Sequence, residues 1–218
     1  MQVLVVGANG QIGTHLVEQL KEEGNHKPIA FVRKQEQVDK FKEKGIEARL
    51  GNLESSVQDI KKQMDNIDAV VFAAGSGGGT GIDKTVMIDL DGAVKVMEAA
   101  EDMNIKRFIM ISAFQADVRD NWNEDMKPYY AAKHYADKFL LSSDLNYTIV
   151  RPGMLENEPA IGKVSLTRAM NEFTDPVTIP RKDVADLIAQ SLDHERTYRQ
   201  SFDVTTGDQS IEEALNQL

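Results

Sequence analysis

Three glycines stand at intervals of three in the stretch VLVVGANGQIG: Gly7, Gly10 and Gly13. A short apolar run precedes them, and Ile12, Leu16 and Leu20 follow at intervals of four, so the glycines fall on a turn from a strand into an amphipathic helix. At such a turn Gly7 permits the tight reversal, Gly10 lets main-chain amides approach a phosphate, and Gly13 lets the helix lie close to the strand. Asn9, Gln11 and Ile12 fill the turn and join the glycines as candidate binding residues. The spacing is one residue wider than the usual dinucleotide fingerprint. Its place between strand and helix is what separates it from a plain tight turn, and the expected ligand is the pyrophosphate of a dinucleotide.

The second apolar run ends in AFVRKQEQ, with Arg33 and Lys34 where an NAD site commonly places an acid for the adenosine ribose. Positive charge there suits a 2′-phosphate, so NADP is the expected cofactor, with NAD possible. A merely solvated basic pair would sit at the wrong end of the helix dipole. A second glycine cluster, GSGGGTG at 75–81, lacks the Lys-Ser/Thr ending of a phosphate loop, so nucleotide triphosphate hydrolysis is not indicated. It reads equally as a lip beside the cofactor or as a flexible connector. The segment 114–128 is long for a plain connection and holds Trp122; it reads as a cover over the substrate or as a surface loop.

Composition excludes several classes. The net charge of -10 and the dispersed basic residues argue against nucleic acid. There is no cysteine, and the 4 histidines are scattered without ligand spacing, so no metal site is expected. No apolar run approaches the roughly 20 residues of a membrane span, and the start of the chain lacks the features of a signal peptide. A cytoplasmic protein with a small-molecule substrate is the expectation; the oligomeric state stays open.

These residues need a frame. Apolar runs at 3–6, 28–32, 46–50, 69–74, 107–112 and 147–151 read as strands covered on both faces. Helices are expected over 12–23, 35–44, 56–64, 83–103 and 128–143. The alternation predicts an α/β fold, a doubly wound parallel sheet of the Rossmann type with right-handed crossovers. After Arg151 come Pro152, Pro159, Pro176 and Pro180, then a helix over 182–192, a strand near 201–204 and a short last helix. Residues 1–218 are read as one domain, in which about 152–180 and 208–218 form a small substrate-side lobe.

With this frame the chain resembles the extended and atypical short-chain dehydrogenase/reductases. GANGQIG, GNLES, VVFAAG, MISA, YYAAK and IVRPG occur in that family's order and spacing over nearly the whole chain. It most resembles the bacterial NAD(P)-dependent epimerases or oxidoreductases, and more distantly biliverdin reductase B and NmrA-like sensors. The resemblance implies that Leu53 flanks the adenine, with Asn52 among the cofactor-binding residues, that Ala73, Ala74, Gly75 and Ser76 line the cofactor, and that Pro152, Gly153 and Met154 meet the nicotinamide amide through their backbone. It implies a catalytic set of Ser112, Tyr129 and Lys133. Residues four apart share a helix face, so the Lys133 ammonium can favour the Tyr129 phenolate, and Lys133 can also hold ribose hydroxyls. Asp89 stands where the family has a supporting asparagine. An ionised carboxylate there would pair with Lys133 and offset part of its pull on the tyrosine; a solvated helix residue is the other reading. The implied function is hydride transfer on a small carbonyl or hydroxyl substrate, by an oxidoreductase or epimerase-like enzyme. The alternative is an NADP-dependent redox sensor or scaffold without turnover.

Overall fold

A computed structural model of the chain describes residues 1–168 and 177–218. Residues 169–176 of the expected lobe, Pro176 among them, lie outside the described residues. The elements run β1 (Gln2–Val6), α1 (Gln11–Glu23), β2 (Lys27–Val32), α2 (Gln35–Glu43), β3 (Glu47–Leu50), α3 (Val57–Lys61), β4 (Ala69–Phe72) and α4 (Ile82–Lys84). A π-helical segment (Thr85–Gly92) leads into α5 (Ala93–Asp102), followed by β5 (Arg107–Ile111), α6 (Lys127–Leu141), β6 (Asn146–Pro152) and β7 (Met154–Glu156). The chain ends with β8 (Lys163–Thr167), β9 (Thr178–Pro180), α7 (Arg181–Ser191), β10 (Gln200–Thr206), β11 (Gln209–Ser210) and α8 (Ile211–Asn216).

The main sheet has the order β11-β8-β10-β6-β5-β4-β1-β2-β3. Strands β1 to β6 pair in parallel with one another, and β10 is parallel to β6. The strand sequences dictate cover on both faces. Val3 and Val5 point into one core with Leu16, Leu20, Phe41, Val184 and Ile188, while Leu4 and Val6 point into the other with Ile60, Met97, Phe108 and Leu140. Helices α1, α2 and α7 therefore cover one face, and α3, α5 and α6 the other. The chain winds outward from β1 through β2 to β3, then returns to β4 on the opposite side. That reversal leaves a crevice at the carboxyl ends of β1 and β4.

Two details differ from the sequence expectation. The helix expected over 83–103 is one helical course whose middle turns are π-wound. Gly92 packs there against Leu53 and the Met87 carbonyl, both 3.1 Å from where a Cβ would stand. The residues after Arg151 do not all stand apart from the sheet. β10 pairs with β6, and β8 pairs antiparallel with β10, so the crossover rule expected throughout does not extend to this edge. Among the described residues only β7 and β9 pair with each other outside the main sheet. No described helix is long and apolar enough to cross a membrane.

Candidate functional site

A cavity of about 630 Å³ opens at the carboxyl ends of the central strands. Its floor is apolar: Val6, Phe31 and Val32 end β1 and β2, and Ala73 follows β4. Gly7, Asn9, Gly10, Arg33, Lys34, Asn52, Leu53, Ala74, Gly75 and Ser76 complete the wall with residues that the sequence reading did not name.

The glycines explain why the cavity reaches the helix. Gly7 has φ +87°, and a Cβ on it would lie 2.7 Å from the Ala74 backbone, so the first turn and the turn after β4 close together only with glycine there. A Cβ on Gly13 would lie 2.4 Å from the Gly7 carbonyl. Gly10 precedes α1 in an extended conformation and offers no side-chain cap, and no acid occupies the first helical turn. The leading amides of α1 are thus left for an anion, at the positive end of the helix dipole. These residues fit a dinucleotide pyrophosphate. Gln11, Ile12 and Gly13 form that first turn behind the cavity wall.

At the end of β2 the main-chain N–H groups of Arg33 and Lys34 both donate to Gln37 Oε1, at 3.2 Å each, which fixes the start of α2. Lys34 Nζ pairs with Glu36 at 3.2 Å. The Arg33 guanidinium is exposed and has no partner among the described residues.

The second cluster lies on α6. Lys133 is buried, and its Nζ stands 3.3 Å from Asp89 Oδ1, donates to the Ile111 carbonyl at 3.2 Å, and lies 5.9 Å from the centre of the half-buried Tyr129 ring. Burial pulls the Lys133 ammonium down in pKa, but Tyr129, Asp89 and Asp137 outweigh it and the net direction is up, so the lysine stays charged. Asp89 Oδ2 accepts the Ser76 N–H at 2.9 Å. Asp89 therefore ties the cavity wall to Lys133. Ser112 is buried beside Asp137; its hydroxyl meets no partner at hydrogen-bonding geometry, yet it lies near enough to favour that carboxylate.

Behind this cluster is a network that the sequence reading missed. Arg151, 1% exposed, reaches Asp137 at 2.9 Å and Asp117 at 3.1 Å. Asp203 accepts the Gln115 N–H at 2.9 Å. Burial raises the Asp137 carboxyl despite Arg151. Burial, helped by Asp117 and Asp137, pushes Asp203 up to about 6 against the Gln115 N–H and Arg151. Asp137 follows Lys133 by four residues, as Lys133 follows Tyr129, and that period was a usable signal.

Pro152, Gly153 and Met154 lie at the end of β6, outside the cavity wall. The Gly153 N–H donates to Val204 O and the Met154 N–H to Val177 O, at 2.8 Å each, so these two amides are already taken within the fold. Trp122 stacks on Tyr130, with ring centres 6.0 Å apart, and meets His134 edge-on at 5.5 Å, which places its loop against α6. Among residues the sequence did not mark, Phe31 and Val32 followed from the strand end. Glu54, Thr80, Lys84 and Ile88 enter the wall through the turn after β3 and the course of residues 80–88.

The sequence profile described as NAD(P)H-binding matches residues 7–195. A Bacillus subtilis protein named as an uncharacterized sugar epimerase, YhfK, is 50% identical over 218 residues, covering 100% of both chains. A solved structure from Bacillus halodurans, described as a candidate NAD-dependent epimerase/dehydratase, is 45% identical, covers 100% of both chains and superposes with a TM-score of 0.93. The oxidoreductase ylbE of Lactococcus lactis is 31% identical, over 100% of this chain and 96% of its own, with a TM-score of 0.87. The chain belongs to the NAD(P)H-binding family, among the atypical short-chain dehydrogenase/reductases of the epimerase and oxidoreductase type.

Proposed function

We propose that the protein is an NADP(H)-dependent oxidoreductase or epimerase-like enzyme acting on a small carbonyl or hydroxyl compound. The observation that carries this reading is the buried Lys133 ammonium. It lies one helical turn from Tyr129 and is joined through Asp89 to Ser76 in the wall of the cofactor cavity. Gly7 and Gly10 with the first turn of α1 would hold the pyrophosphate, Leu53 the adenine, and Arg33 the 2′-phosphate. NADP(H), when bound, supplies or accepts the hydride.

The chain's own residues handle the proton. Tyr129 exchanges it with the substrate oxygen, and Lys133 stabilises negative charge on that side of α6. Asp89 holds Lys133 in place and offsets part of its charge. Ser112 faces Asp137, so we assign it to support of α6 rather than to contact with substrate. The segment carrying Trp122 covers the same end of α6 and bounds the substrate space. Relatives named as a sugar epimerase and an oxidoreductase support hydride chemistry.

Tyr129→Phe tests the reading. It keeps the ring and removes the transferable proton. NADPH affinity should stay within about twofold, while reduction of any carbonyl or quinone substrate found by screening should fall by about 10²-fold or more. Wild-type turnover in that variant would take Tyr129 out of the mechanism. Absence of turnover in the wild-type protein, with a partner affinity that follows cofactor redox state, would instead favour the sensor.

A further inference from the structure

The wall of the cofactor cavity contains an ion pair that the proposed function does not use. Glu54 follows Leu53 in the turn after β3, where its N–H donates to Asn52 Oδ1 at 3.0 Å. Lys84 ends α4, directly after the glycine cluster. Its Nζ pairs with the Glu54 carboxylate, joining two segments that line the same cavity. Both side chains are partly exposed, Lys84 at 46% and Glu54 at 33%, so the pair lies at the rim and not on the apolar floor.

Arg33 and Lys34, at the end of β2 where the adenosine ribose is read, line the same cavity as Glu54 and Lys84. An exposed carboxylate holds a lysine only weakly. A phosphate monoester, close to doubly charged at neutral pH, is a stronger acceptor for the same ammonium. The glycine segment before α4 is open on this side. Gly77 and Gly79, which lead into α4, have φ of +85° and +91°, and a Cβ on either would meet nothing within 4 Å.

We infer that Lys84 is a second specificity residue for NADP, stored on Glu54 in the free protein and transferred to the 2′-phosphate when the cofactor binds. The inference rests on the proposed cofactor site. A ribose 2′-hydroxyl offers no charge to displace Glu54, so Lys84 adds nothing to NAD binding. Glu54 disfavours the phosphate both by competing for Lys84 and by its own negative charge once the lysine has left.

Calorimetric titration of NADP and NAD into the wild type, Lys84→Met, Glu54→Gln and Arg33→Ala tests this. Lys84→Met should weaken NADP by about tenfold and leave NAD within about twofold, the scale of one charge-assisted hydrogen bond. Glu54→Gln should tighten NADP by about threefold, because the lysine is no longer held and a negative charge is gone. An NADP/NAD affinity ratio in Lys84→Met equal to that of the wild type overturns the inference. If Arg33→Ala lowers that ratio while Lys84→Met does not, the inference falls and the cofactor site stands. If the wild type binds neither nucleotide, both fall.

Discussion

Asp203 shows what a buried charge does to this protein away from the cofactor. Its carboxyl is raised from 3.8 to about 6, chiefly by burial. A raised acid is one whose protonated form the fold prefers. The stability it contributes is therefore complete below about pH 4 and is lost as the pH rises through about 6, after which the buried carboxylate is a cost. The shift corresponds to a cost of about 2–3 kcal/mol. Asp203→Asn keeps an oxygen to accept the Gln115 N–H and cannot ionise. Urea denaturation should show the variant about 2 kcal/mol more stable than wild type at pH 8, with the difference small at about pH 3.5, below the unfolded-state value. An equal difference at both pH values would contradict this assignment. Arg151 holds Asp137 and Asp117, so Asp203 is the carboxylate of this cluster without an ion-pair contact among the described residues.

At the scale of elements, the π-helical segment and α6 make one device. Asp89 lies on the π-wound turns and is 1% exposed, and it satisfies both the Lys133 ammonium and the Ser76 N–H. π-wound turns recur at functional sites in general. Asp89→Ala would leave a buried cation with one carbonyl partner and a main-chain N–H with none. It should cost about 3 kcal/mol in denaturant unfolding, the scale of a broken buried pair. A loss below about 1 kcal/mol would show that the pair is not built into the fold. The sequence could not announce this segment. Its apolar spacing suits a single helix, and Gly92 at its end packs against Leu53, a contact across the tertiary structure that local pattern does not carry. α6 was legible to within two residues because YYAAKHYADKFLL carries the helical period through to its end.

Across the whole molecule, what could be read followed from local pattern. The strands β1 to β6, their parallel doubly wound sheet and a crevice at their carboxyl ends were legible, since each parallel strand is a short apolar run and each crossover an amphipathic helix. The edge strand β8 was not, because KVSLT is short and part polar, and its antiparallel partner β10 lies beyond a further helix. The proposed adenine and phosphate half of the site was marked by its glycines and by Arg33. Around Lys133, Asp89 was marked by the family resemblance and Asp137 shares the helical period of Tyr129 and Lys133, whereas Arg151 comes from a separate strand and carries no local signature.

The central claim is that the glycine-built N-terminus of α1 binds NADP(H). Gly10 is where fold and binding come apart. It has φ -72° and ψ 166°, open to any residue, and a Cβ on it meets only the Gly7 carbonyl, at 3.2 Å. Gly10→Val should therefore fold with an unchanged circular dichroism spectrum while its branched side chain fills the pyrophosphate space. By calorimetry the wild type should bind NADP more tightly than NAD, and Gly10→Val should lose NADP affinity by about a hundredfold or more, the scale of more than one lost charge-assisted hydrogen bond. A folded Gly10→Val that binds NADP with wild-type affinity would contradict the account.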